Sequence, residues 1–394
     1  MFRRHWSGLP KDPVFPADLE GLGYFITCED EVRLISNPDL YFKFFLNRQP
    51  RVNVRQRLMF DQALERVIHE RLEKQGLQKI ALPLGSTPQD CHVPIFVSPD
   101  LMSKARIVVV FGEPSHDLGV LAGRVVSGPG GINKGSMVSV VQALRAQAST
   151  EKNTSPPGVV LANTGQLYWW PEGKRALTVT SSNHIPLPSM VHIGRRHVPA
   201  LNSIPQNEDA ASHIGYVFKE VLGGMAKHDA RISLVAIGES CELVTKFLDN
   251  ESNWAAWGHR LSSMLLLGHV YPDDGLKTPG LKEFLKKRTR AYVTSDLPLD
   301  TALAPPTGNA QQGIPNIGCP CYSSSESLYV EVILIRTLES ALRYAEDAAT
   351  KPGFENPQVE IVVIEEPEER ELTEEDWAKL PADQKPSVSL TPVV

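Results

Sequence analysis

A serine hydroxyl becomes a useful nucleophile when it stands on a sharp turn, an imidazole takes its proton and nearby donors stabilise the oxyanion. The run Arg231–Ile237, then Gly238-Glu239-Ser240-Cys241-Glu242, then Leu243–Leu248 offers the first of these conditions. An apolar, strand-like stretch meets Gly-x-Ser and leaves as an amphipathic helix. That pattern is a nucleophile elbow, which lifts the hydroxyl above a sheet and aims a helix N-terminus at the substrate oxygen. The motif ends on a second glycine so that helix and strand pack closely, and Glu242 stands there instead.

In α/β-hydrolases the acid and then the histidine follow the serine along the chain. Acids are available at Asp273, Asp274, Asp296 and Asp300. Histidines are not: all eleven lie at or before His269. Two readings follow. In one, Ser240 only caps the helix it begins, and no residue is catalytic. In the other, a rearranged triad uses Ser240 as nucleophile, His269 (or His116) as base and Asp296 as acid. The missing downstream imidazole favours the first.

The facing wall of the expected pocket is Val108–Phe111 followed by Gly112-Glu113-Pro114-Ser115-His116-Asp117, where a hydrolase strand delivers its oxyanion loop. Glu113 and Asp117 would set negative charge beside the hole and oppose an oxyanion. The expected pocket therefore comprises Gly112, Glu113, His116, Asp117, Gly238, Glu239 and Ser240. Gly128–Ser136 is glycine-rich, but it runs Lys134-Gly135-Ser136 where a phosphate loop needs Gly-Lys-Ser, so a turn into a helix is expected. The basic clusters Arg195-Arg196-His197 and Lys286-Lys287-Arg288 with Arg290 offer weak support for RNA and could meet an acidic partner. Arg195 and Arg196 mark the expected interaction surface. Tyr168-Trp169-Trp170 could stack bases or simply pack. Only Cys319 and Cys321 among five cysteines lie close together, which suits neither a disulfide framework nor zinc. No metal or other cofactor is expected.

The elements that must position these residues alternate. Helical spacing of Leu64, Val67, Ile68 and Leu72 ends at Gly76, and Met137, Val140, Val141 and Leu144 form a second stripe. A third runs from Ile214 through Val217, Phe218, Val221 and Leu222 to Met225. Strands are expected at Gly23–Thr27, Val32–Ile35, Pro94–Ser98, Arg106–Phe111, Gly158–Ala162, Arg231–Ile237, Ser263–Gly268 and Arg290–Thr294, with a last one at Val359–Ile364. Tyr329–Ala349 starts β-branched and ends helical. Strands alternating with helices imply an α/β fold, α/β-hydrolase-like, with a mostly parallel central sheet and helices on both faces. The stretches 163–210 and 296–328 read as long loops, which are usually functional.

Composition, at 42% hydrophobic and 22% charged, supplies a sizeable core for one domain. The net charge of −6 belongs to residues 365–394, where nine acidic residues face three basic ones. That stretch is expected to be a disordered acidic tail. The remainder is neutral overall, with no global field for nucleic acid or anionic membranes. Apolar runs such as Ile107–Phe111 are too short to span a bilayer. No secretory h-region follows Arg3 and Arg4, so a nuclear or cytoplasmic protein that is not secreted is expected.

Several phrases resemble one family together. Phe15-Pro16-Ala17-Asp18-Leu19-Glu20-Gly21-Leu22-Gly23-Tyr24-Phe25 is similar to the opening of the Argonaute-binding protein two domain family. So are Val110–Glu113 running to Asp117-Leu118-Gly119, then Gly130–Asn133, and Gly318-Cys319-Pro320 followed by Glu326. The resemblance spans most of residues 15–364, with 1–14 as an extension. It implies an α/β-hydrolase-like fold and a binding role in nuclear silencing. The partners it implies are an Argonaute chaperone complex of small-RNA-directed heterochromatin or a class II histone deacetylase assembly of fungi. Lacking a deacetylase domain, the chain looks like a stand-alone member.

Overall fold

The computed structural model describes residues 13–185, 197–268, 271–359 and 361. Its strands are β1 Tyr24–Ile26, β2 Val32–Leu34, β3 Gln78–Leu82, β4 Val93–Val97, β5 Arg106–Phe111, β6 Gly158–Ala162, β7 Tyr168–Trp170, β8 Arg175–Leu177, β9 Arg231–Ile237, β10 Leu261–Leu267, β11 Thr289–Val293, β12 Ala302–Ala304 and β13 Cys321–Ser323. Nine of them form one sheet in the order β12-β13-β11-β10-β9-β5-β6-β4-β3. Pairing is parallel from β13 through to β6, and β3, β4 and β12 run antiparallel to their neighbours. Leaving out β12 and reading from β3, successive strands occupy the order 1-2-4-3-5-6-7-8 with an antiparallel second strand. This is the α/β-hydrolase sheet, and β9 is its fifth strand, the one that carries the elbow.

The principal helices are α1 Pro50–Lys74, α2 Met137–Arg145, α3 Ala210–Tyr216, α4 Ser240–Leu248, α5 Pro279–Arg288 and α6 Ile333–Thr350. Pro50 at the start of α1 fixes φ where no N–H partner is needed, while Arg71 and Lys74 complement the dipole at its end. Two cores result because β5 and β9 are apolar on both faces. On one side Val108, Val110, Val235 and Ile237 pack with Ile68 of α1, Val141 of α2 and Leu342 of α6. On the other, Val109, Phe111, Leu234 and Ala236 pack with Ile214, Val244 and Leu281 of α3, α4 and α5. Each such buried aliphatic side chain contributes about 1.5–3 kcal/mol. The elements named here belong to Met1–Glu360, the larger of two compact units, the other being Ile361–Val394.

Several expectations are corrected. The stripe Ile214–Met225 is not one α-helix: α3 gives way to a π-helical stretch at Val217–Leu222, where Phe218 stacks on both Phe111 and Phe247. Tyr329–Ala349 resolves into a 3₁₀ turn and α6. Val359 is not in a strand, and most of Val359–Ile364 lies outside the described residues. The stretches 163–210 and 296–328 contain the β7–β8 hairpin and the β12–β13 pair, so they are not simply loops. β3, short and half polar at the sheet edge, carries too little alternation to be read from sequence.

The glycine-rich stretch Gly128–Ser136 binds the chain, not a phosphate. Gly131 has φ +84°, and a Cβ there would lie 2.5 Å from the Asp30 carbonyl oxygen. Asn133 N–H donates to the Asp30 carboxylate at 2.7 Å, and Arg71 pairs with the same carboxylate at 2.6 Å. These contacts clamp the β1–β2 hairpin to α1. Tyr168 and Trp169 are buried in β7, which settles packing over base stacking for that aromatic run. The basic cluster at the end of α5 and the start of β11 is also engaged: Lys287 pairs with Glu283 and Glu355, Arg288 donates to two carbonyls, and Arg290 lies over Tyr322 and Tyr344.

Candidate functional site

The elbow is present, in a different register from the one its serine suggests. The strained residue of the β9–α4 turn is Gly238, with φ +57°, and Ser240 is the first residue of the helix. An elbow places its nucleophile on that strained turn. The frame is therefore Ala236-Ile237-Gly238-Glu239-Ser240, and the nucleophile position holds a glycine. Ser240 takes the place of the small residue behind it. Its side chain is fully buried, and its hydroxyl donates to the Gly112 carbonyl at 2.5 Å, tying the turn to the end of β5. It neither stands above the sheet nor caps α4 with its side chain. The two-residue shift also removes the objection to Glu242, which is not at a packing position and pairs with Lys246 along the helix.

Glu113 fills the place above Gly238. A Cβ built on Gly238 would lie 1.2 Å from Glu113 Oε2 and 2.4 Å from its Cδ. The N–H of Glu239, the residue after the apex, donates to the same carboxylate. In a working elbow that N–H is an oxyanion donor. Here an internal side chain occupies both the nucleophile's space and this donor. Burial, then the Glu239 charge, pushes the Glu113 carboxyl up to about 7, against the opposing effect of the Glu239 N–H.

Of the other expected pocket residues, His116 and Asp117 are engaged elsewhere than at Ser240. His116 contacts the Leu121 carbonyl and lies 3.8 Å from the Glu331 carboxylate. Burial lowers its pKa, with Glu331 acting in the opposite direction. Asp117 accepts from Gln166 Nε2 at 3.0 Å, and the same nitrogen donates to Glu65 at 2.8 Å. Glu65 is paired with Arg175 at 2.5 Å. Burial, then Glu65 and Asp61, raises the Asp117 pKa. Gly112 gives its carbonyl to Ser240 and to Thr164. Glu239 and Asp296 are exposed, and they follow strands separated by β10. His269, Arg195 and Arg196 lie outside the described residues.

Sequence reading missed Asp61, Glu65, Gln166 and Arg175, which come from α1, the β6–β7 connection and β8. Their sequence separations carry no motif; the one available signal is Glu65 standing beside Leu64 within the apolar stripe of α1. A cleft of about 340 Å³ is lined by Glu65, His69, Lys79, His92 and Arg175, and another of about 160 Å³ by Arg57, Asp61, His116 and Asp117. Among the described residues no group of three His, Cys, Asp or Glu side chains is arranged to hold a metal. None of their helices is long and apolar enough to cross a membrane.

Strand order, the antiparallel second strand and the elbow after the fifth define an α/β-hydrolase-like protein with an occupied elbow. The chain belongs to the Arb2 domain family, the Argonaute-binding protein 2 family, whose model matches residues 15–299. It is thus an Argonaute-related domain. No curated protein matches it. Two similar solved structures are the LpqC poly(3-hydroxybutyrate) depolymerase from Bordetella parapertussis and the Wnt deacylase Notum from Drosophila. The first is 10% identical at TM-score 0.34, covering 71% of this chain and 93% of that one. The second is 13% identical at TM-score 0.25, covering 69% and 81%.

Proposed function

We propose that this protein is a non-catalytic interaction module of a chromatin or small-RNA silencing complex, acting in the nucleus, the cytoplasm or both. The observation that carries the non-catalytic part is the Glu113 carboxylate above Gly238, where a hydrolase needs a nucleophile and a free oxyanion donor. Family membership supports the Argonaute-related part, with an Argonaute chaperone or a histone deacetylase assembly as the partner. Ser240, whose hydroxyl serves the Gly112 carbonyl, is a packing residue on this reading.

A fluorophosphonate probe tests the chemistry, and purification of the tagged native protein tests the partner. Neither wild type nor Ser240→Ala should be labelled, and silencing factors should co-purify with both. Labelling that disappears in Ser240→Ala would return the protein to the serine hydrolases. A purification free of any silencing or chromatin component would remove the partner assignment.

A further inference from the structure

The loops that leave the C-terminal ends of β11 and β13 carry apolar side chains into solvent. Leu328 is 72% exposed, and Leu299, Tyr329 and Val330 are exposed beside it in sequence or across the neighbouring loop. The two loops are bound together: Ser295 N–H donates to the Glu326 carbonyl at 2.7 Å, and Ser323 Oγ donates to the Leu297 carbonyl at 2.7 Å. Their shape is fixed from within. The Glu326 carboxylate accepts from the N–H groups of Leu328 and Tyr329, and the Arg124 guanidinium lies 3.4 Å from the Tyr329 ring centroid. Val330 sits on the end of β10, where a Cβ on Gly268 would meet its Cγ1 at 2.2 Å. Held apolar side chains in solvent mark an interaction site.

Charge around this ridge selects the occupant. Arg124 and Arg336 are matched by Glu331 and Glu326, and Lys246 by Glu242. Glu239 and Asp296 are exposed and form no ion pair with a described residue. Two contacts place these carboxylates beside the ridge: Gly238 N–H donates to the Leu267 carbonyl next to Gly268, on which Val330 sits, and Ser295, the neighbour of Asp296, is bonded to Glu326. A polyanion is repelled here, and a basic side chain is attracted.

We propose that this ridge docks a partner segment in which lysine or arginine alternates with apolar residues. The proposal rests on the interaction-module reading and names the chemistry of its partner. Fluorescence anisotropy on the full chain tests it with three labelled peptides: one basic and apolar, one with serine replacing its apolar residues, and one with glutamate replacing its basic ones. The first should bind roughly tenfold tighter than either control, more weakly as salt rises. Leu328→Asp, and Glu239→Lys with Asp296→Lys, should each weaken it about tenfold, while Met102→Asp, in the exposed turn that enters β5 at the opposite end of the sheet, leaves it unchanged. Equal binding by the ridge variants, equal binding of the glutamate peptide, or a dimer that the ridge variants dissociate would overturn the proposal. None of those outcomes alters the chemistry at Gly238, which the fluorophosphonate experiment reads separately.

Discussion

At the scale of single residues, the contact between Glu113 and Gly238 makes two measurable claims. Gly238→Ala adds a side chain at positive φ and drives it into the carboxylate, so it should destabilise by more than about 2 kcal/mol. In a Glu113→Ala background the same substitution should cost at least about 1 kcal/mol less, since only the backbone strain remains. Urea denaturation of the four chains supplies the cycle, and purely additive effects would show that the two positions do not interact. The second claim concerns pH. Glu113 titrates at about 7 when folded against an ordinary 4.5, so the native state holds its proton more tightly than the unfolded chain does. Its contribution is complete below pH 4.5 and is lost as pH rises to about 7. Discounted for partial exposure, that loss is on the order of 1 kcal/mol. Glu113→Gln should gain stability relative to wild type between pH 5 and 8; an unchanged difference at the two pH values counts against the assignment.

At the scale of elements, the connection from β6 to α3 is pinned by a buried histidine. Asn163 N–H donates to His213 Nε2 at 3.1 Å, and His213 Nδ1 lies 2.7 Å from Asn207 Oδ1, which fixes the tautomer with the proton on Nδ1. Burial pushes the His213 pKa from 6.5 down to about 3. A depressed folded value means that its contribution is present above pH 6.5 and disappears as pH falls toward 3. The wild-type melting temperature should therefore drop through this window more steeply than that of His213→Asn. Parallel acid profiles for the two proteins would mean that this histidine does not set the acid limb. The same pin explains why a stretch that reads as loop in sequence carries so many buried polar side chains.

At the scale of the whole molecule, stability should follow position in the sheet. β5 and β9 lie at its centre with both faces buried, whereas β3 and β12 are its edges and β7–β8 is a separate pair. Hydrogen exchange should be slowest in β5, β9 and β10 and fastest in β3, β12 and the β7–β8 hairpin. Uniform protection across the sheet would contradict this ordering. The parallel strands also explain why several acidic residues gather: one end of the sheet collects the loops that follow its parallel strands. Glu113, Glu239, Asp296 and Glu326 share that end through topology, although they are scattered along the chain.

The sequence by itself determined the alternation of strands and helices, the two-faced sheet and the presence of an elbow after Arg231–Ile237. These depend on local periodicity and turn chemistry, which act between near neighbours in the chain. It also held the missing downstream histidine. It could not set the register of the elbow, because Gly-x-Ser in sequence looks the same whether the serine or the glycine takes the positive φ. That was decided by tertiary contacts: Ser240 is drawn down to the Gly112 carbonyl, and Glu113, 125 positions earlier than Gly238, covers the apex. The Asp61, Glu65, Gln166, Asp117 and Arg175 network is of the same kind. Its members gain their meaning from burial together, where each unpaired charge would cost several kcal/mol, and no spacing along the chain encodes that proximity.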